Sequence, residues 1–160
     1  RETMREIVDI ARWAPSWVNY QIARYTLVDD EEIIKEIAEH GVNGFVYNID
    51  TLRTAKGVAV LSFVKGKSGT YDKEYITSKG NSWEVFDAGI ACQTFCLAAH
   101  AKGVGTCIMG VIDDKSIAKI VNLPEDETVA ALIVYGYEDG EHAAPNKRKD
   151  VDEIMRFVDR

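Results

Sequence analysis

Residues 85–101 read VFDAGIACQTFCLAAHA. Asn81 stands before this run with Glu84 three residues later, a pattern that can cap a helix, and Gly103 follows its end. Between these signals the apolar residues surround the helical cylinder almost completely, which predicts burial on most sides. At 1.5 Å rise per residue, a helix of about 20 residues spans roughly 30 Å. An element of that length and character is the central axis of a domain or a subunit interface.

The remaining chain arranges itself around this helix. Thr3 and Glu6 form a capping-box pattern, and Met4, Ile7, Val8, Ala11 and Ala14 then share one helical face. Pro15 stops that helix, because it disfavours helical backbone for the residue before it. Residues 24–28 (RYTLV) read as a strand. Asp29 or Asp30 caps a second helix with Ile33, Ile34, Ile37 and Ala38 as its apolar stripe and Gly41 at its end. Residues 42–56 read as loop with some helix, and 58–64 (VAVLSFV) as a buried strand. Residues 65–82, rich in Gly, Ser, Lys and Thr, read as a long mobile loop of the kind that often carries function.

Beyond the long helix, residues 104–109 form a strand and Asp113 or Asp114 opens a short helix. Residues 128–137 (TVAALIVYGY) are the clearest strand, and a polar tail ends in a helix that Asp150 caps. There is no internal repeat. Helices and strands alternate without the regular beat of a doubly wound sheet, so residues 1–160 read as one α+β domain.

Composition narrows the function. The 160 residues are 46% apolar and 28% charged, the range of a globular domain with a real core. A formal net charge of −7 argues against a nucleic-acid surface and against an anionic membrane. No apolar run reaches the length of a membrane span. Three cysteines without scaffold spacing point to reduced thiols and a cytoplasmic protein rather than a secreted disulfide framework.

Several constellations invite chemistry. Cys92, Cys96 and His100 fall on one helix face, but Cys92 and His100 are about 12 Å apart along the axis. One zinc ion holds its ligands within roughly 2.0–2.3 Å, so these residues read as packing and no metal is expected. Residues 103–110, GVGTCIMG, resemble a nucleotide loop but lack the third glycine and run from helix to strand, the wrong order for a dinucleotide fingerprint. Their glycines allow a close backbone approach to something flat, or simply cap the helix and tighten strand packing. A hydrolase triad could be drawn from the serines, His40, His100 or His142 and an aspartate, but no G-x-S-x-G elbow supports it. The basic run Lys147, Arg148 and Lys149 is either a solvated loop or a phosphate contact.

Residues 14–21, APSWVNYQ, place Ser16, Asn19 and Gln21 among aromatics. Turn chemistry can absorb one such side chain more easily than three. A cleft for a planar heteroaromatic ring would use all of them.

Taken together, APSWVNYQ, FDAGIACQTFCLAAHAKGVGTCIMG, and LPEDETVAALIVYGYEDG followed by NKRK resemble the FMN-dependent nitroreductase family over residues 3–157. The resemblance implies a central, mostly antiparallel sheet flanked by helices, built as an obligate homodimer with FMN at the subunit interface. It implies that Pro15, Ser16, Trp17, Asn19 and Gln21 line one part of the flavin site. Ile108, Met109 and Gly110 would lie beside the ring, with the Met109 backbone N–H near flavin N5. Lys147 and Arg148 would meet the phosphate. The family's Arg-Arg-Ser-x-Arg segment, which also grips the phosphate, would precede residue 1 in this register. The implied activity is ping-pong electron transfer from NADH or NADPH to a small electron-poor acceptor such as a nitroaromatic or quinone, with residues 65–82 as part of a lid. Specialised activities of the same fold (dehalogenation, flavin fragmentation, azoline oxidation) and flavin binding without turnover remain open alternatives.

Overall fold

The computed structural model describes residues 1–140 and 144–158. The apolar run at residues 58–64 lies within β2 (Gly57–Val64), whose side chains are buried on both faces of the sheet for all but the last residue. It pairs antiparallel with β1 (Ala23–Val28) on one side and β6 (Glu127–Gly136) on the other. β5 (Gly105–Met109) adds to the far edge of β6, giving a four-stranded antiparallel sheet in the order β1-β2-β6-β5. Doubly buried strands read as continuous apolar runs rather than alternating ones, which is why VAVLSFV carries no period.

Helices cover both faces. On one, α1 (Glu2–Ala11) and α4 (Ser82–Ala101) bring Ile7, Ala11, Cys92, Phe95 and Ala99 against Ala59, Leu61, Phe63, Ile133 and Tyr135. On the other, α2 (Glu31–His40), α3 (Val46–Thr54) and α5 (Asp114–Ile120) bring Ile34, Ile37, Leu52 and Ile117 against Val58, Val60, Leu132, Val134 and Met109. A bulge opposite Leu61 and Ser62 shifts the β2–β6 register by one residue, and the buried Ser62 hydroxyl donates to Glu127 Oε2 at 2.6 Å.

The sequence expectations for strands and helices hold, with instructive exceptions. Asp30 does cap α2, accepting from the N–H groups of Glu32 and Ile33, and Asp113 caps α5 through Ser116. Thr3 does not cap α1: the helix starts at Glu2, and Arg1 is fixed instead by a two-pronged ion pair with Asp29. Asn81 makes no side-chain cap on α4: its own backbone is already helical (φ −70°, ψ −4°), and the Glu84 carboxylate that would complete the box is bonded to the preceding loop. Residues 42–56 contain a full helix, α3. Residues 65–82 are not simply open loop. They form a small hairpin of β3 (Thr70–Tyr71) and β4 (Glu74–Tyr75) that is lashed to α4. The tail helix α6 (Val151–Ile154) carries the expected Asp150 capping box.

Burial of α4 is one-sided within a single chain. Phe95 is fully buried, whereas Val85, Phe86 and Leu97 are 60%, 57% and 60% exposed. Among the described residues no element covers that outer face, so the expectation of burial on most sides is not met by one copy alone.

Phe95 is the largest fully buried side chain, and its ring stacks on Tyr25 at 5.2 Å. Phe95→Ala should lower unfolding free energy by about 3–5 kcal/mol, measured by urea denaturation at fixed protein concentration.

Candidate functional site

The segment following α1 turns sharply before entering β1. Trp17–Asn19 form a single 3-10 turn, and the backbone takes positive φ at Val18 (46°), Asn19 (55°) and Gln21 (51°). Such a conformation is an outlier for a β-branched residue like Val18. Each residue held in a sparsely populated region costs on the order of 1–3 kcal/mol, and such strain clusters at binding sites.

Hydrogen bonds hold the turn in shape. Ser16 Oγ accepts from the Gln21 N–H at 2.8 Å, so the Ser16 hydroxyl does the turn chemistry anticipated for one of the three polar side chains. Arg24 folds back and donates to the Gln21 and Ala23 carbonyls at 2.7 and 2.9 Å. Gln21 Nε2 reaches the Asn19 carbonyl at a long 3.4 Å. The Asn19 side chain is exposed and has no hydrogen-bond partner among the described residues. Pro15, Ser16, Gln21, Arg24 and Asp87 line a cleft of about 280 Å³. That lies just under the ~300–1,000 Å³ of complete small-molecule pockets, so it suits one edge of a planar ligand.

A larger cavity of about 1080 Å³ lies between α1 and the sheet, but none of the sequence-selected residues lines it. Two of its cations, Arg1 and Arg12, are already paired with Asp29 and Asp9.

The second candidate group sits at the end of β5. The Met109 side chain is locked in the core at 3% exposure, while Ile108 and Gly110 are exposed. A Cβ built on Gly110 would meet no atom within 4 Å, so the backbone there presents an open face. Gly103, by contrast, has φ +71° and closes the α4 C-terminus, with the Val104 N–H reaching the Ala99 carbonyl. In the strand register Ala23, Phe63 and Thr128 lie at one end of the sheet, the end toward which Met109 points. β1 and β5 are nevertheless opposite edges, roughly 14 Å apart at 4.7–4.9 Å per strand. One chain therefore does not bring residues 15–21 and 108–110 together through the sheet.

Lys147 and Arg148 lie in an exposed tail whose hydrogen bonds are local, Arg148 donating to the Asn146 carbonyl at 2.9 Å. His40 and His100 are exposed, and His142 lies outside the described residues. Among the described residues no cluster of three or more His, Cys, Asp or Glu could hold a metal, and no helix is long and apolar enough to cross a membrane.

Sequence reasoning missed Arg24 and Asp87. The available signal for Asp87 was an aspartate inside an otherwise apolar helix, where a charge is costly unless hydrogen-bonded.

The fold is a three-layer α+β domain with a strained turn beside a small cleft at one sheet edge and an open glycine backbone at the other. The sequence model of the Nitroreductase family matches residues 1–137, and the chain belongs to that family of oxidoreductases. Among relatives, it is 23% identical over 163 residues to an oxygen-insensitive NADPH nitroreductase of Helicobacter acinonychis, covering 84% of this chain and 76% of that protein. Among solved structures it is similar to an FMN-dependent nitroreductase of Clostridium difficile R20291, with TM-score 0.76, 25% identity, and coverage of 98% of this chain and 87% of the other. A protein of Exiguobacterium sibiricum solved in complex with FMN matches with TM-score 0.82 at 21% identity, over 99% of this chain and 87% of that one.

Cys92 and Cys96 pack together against the core. A hydrogen bond from Cys92, opposed by burial and helped by the Thr106 hydroxyl, holds the Cys96 thiol below the usual thiol range. Sharing that bond, together with burial, pushes Cys92 up. Iodoacetamide labelling of Cys96, resolved by peptide mass spectrometry, should rise with a midpoint below that of an ordinary thiol and shift upward in Cys92→Ala. A Cys96 midpoint at or above the ordinary thiol value would contradict the bond.

Proposed function

We propose that this chain is an FMN-dependent oxidoreductase. In this reading it passes electrons from NADH or NADPH, by a ping-pong mechanism, to small electron-poor acceptors such as nitroaromatics and quinones. The observation that carries the reading is the strained turn at residues 16–21, whose Pro15, Ser16 and Gln21 line a cleft while the exposed Asn19 amide, on the same turn but outside the cleft lining, has no hydrogen-bond partner among the described residues. Its donor set suits FMN: amide groups for the carbonyl and N–H edge of a flavin, and Pro15 as an apolar wall, whereas the Trp17 ring packs on Trp83 outside the cleft lining. When bound, FMN would supply the electron-accepting and electron-donating chemistry.

The protein's own groups do the remaining work. Asn19 and Gln21 would orient the polar edge of the ring, while Ser16 keeps its hydroxyl on the turn. The backbone at Ile108, Met109 and Gly110 offers the open face that a flat ring can approach, and the Met109 N–H would stabilise negative charge gathering there. Lys147 and Arg148 would bind the phosphate, for which the arginine fork is well suited. No side chain needs to act as an acid or base.

The same reading makes the active unit a homodimer. The outer face of α4, with Val85, Phe86 and Leu97, supports this, as do the exposed Ile154, Phe157 and Val158 of the tail. The distance between the two sheet edges supports it independently, since a second copy can bring its residues 108–110 to the first copy's residues 15–21.

FMN added to the purified protein should give bound flavin absorbance, and anaerobic mixing with NADH or NADPH should bleach it. A protein that binds no FMN would overturn the proposal. Asn19→Ala should raise the Kd for FMN by roughly tenfold, about 1.4 kcal/mol, while barely moving the Tm of the FMN-free protein. A fall in Tm without loss of affinity would return Asn19 to turn chemistry. Light scattering at micromolar concentration should report a dimer, and a monomer would contradict the shared site.

A further inference from the structure

The floor of the small cleft holds a buried carboxylate. Asp87, on the second turn of α4, is 3% exposed. Its Oδ2 accepts from the backbone N–H of Trp17 at 2.9 Å and from Ser68 Oγ at 2.5 Å. The Trp17 indole N–H in turn donates to the Thr70 carbonyl at 3.0 Å, and its ring lies 5.0 Å from that of Trp83. One turn earlier Glu84, 5% exposed, accepts from the N–H groups of Gly66 and Lys67 and from the Tyr75 hydroxyl. Two chain segments far apart in sequence, the strained turn and the 66–75 hairpin loop, are thus held on the first two turns of one helix.

The buried acceptor has a physical reason. Trp17 precedes Val18, whose positive φ persists only if the surroundings over-determine it. Burial leaves the Trp17 N–H no water to fall back on, so a buried side-chain oxygen has to accept from it. The burial cost of the carboxylate is in turn offset by its two donors.

We infer that Asp87 is a positioning residue for the cleft: by holding the Trp17 N–H and the Ser68 hydroxyl on one oxygen, it fixes the left-handed backbone that presents Asn19 and Gln21 and ties that backbone to the 66–71 loop. The inference rests on the flavin reading for the identity of the ligand, but not for the mechanical linkage.

The experiment combines amide hydrogen exchange on the FMN-free protein with FMN titration, using Asp87→Ala, Asp87→Asn and Ser68→Ala. Asp87→Ala should speed exchange at residues 17–21 and 66–70 together by at least tenfold, leave β2 and β6 unchanged, and raise the Kd for FMN at least tenfold. Asp87→Asn should restore both readouts to within threefold of the parent. Its amide oxygen, standing where Oδ2 stands, can still accept from both the Trp17 N–H and the Ser68 hydroxyl. Ser68→Ala should loosen residues 66–70 while leaving 17–21 within threefold. Unchanged exchange at 17–21 in folded Asp87→Ala, or loosening without loss of FMN affinity, overturns the inference. So does an Asp87→Asn variant as impaired as Asp87→Ala. If Asp87→Ala does not fold, Asp87→Asn and Ser68→Ala decide alone: the predicted pattern supports the role and any other pattern overturns it. If the parent protein binds no FMN, the flavin reading falls, and the exchange results still judge the linkage.

Discussion

The structure depends on β2 being buried from both sides. A strand with Val58 and Val60 on one face and Ala59, Leu61 and Phe63 on the other cannot be satisfied by a single layer of helices. It requires helices above and below, and that requirement sorts the chain: α1 and α4 to one side, α2, α3 and α5 to the other. Once sorted, the long α4 runs beneath the sheet with its first turns near the end where β1 begins. The strained turn between α1 and β1 falls onto those turns, so the cleft is placed by the needs of the core.

Elements driven by burial were legible in the sequence, and elements driven by competition among polar groups were not. The strands at residues 24–28, 58–64, 104–109 and 128–137 match β1, β2, β5 and β6 to within a residue or so at their ends. The capping patterns at Thr3 and Asn81 failed because local pattern cannot see a distant competitor. Asp29 reaches Arg1 across the fold, and the 66–67 backbone claims Glu84. The hairpin at residues 70–75 was hidden for the same reason: its two-residue strands have little propensity of their own, and side chains on another element help hold them.

At the candidate site the sequence singled out residues 15–21 as too polar for their aromatic surroundings. The structure resolves part of that excess, since Ser16 closes the turn and Gln21 leans on the Asn19 carbonyl. Asn19 remains without a partner. Asp87 carried a signal, an aspartate in an apolar helix, but its partners, the Trp17 N–H and Ser68 Oγ, are 70 and 19 residues away and could not be named in advance. No window of sequence contains that contact.

The geometry of the single chain is what makes the proposed site one that a second copy would have to complete. A four-stranded sheet puts the turn before β1 and the end of β5 on opposite edges, two strands apart. No rotamer change closes a gap of roughly 14 Å between strand axes. Widening the cleft within one chain would mean releasing residues 16–21 from Asp87, which would free the strained backbone to relax. Bringing up a second copy leaves that strain in place and covers the apolar outer face of α4 as well. The unpaired Asn19 amide, the open backbone at Gly110 and the exposed Val85, Phe86 and Leu97 then have one common explanation. Under the proposed function each is a surface that another molecule would complete, two of them a ligand and one a second subunit.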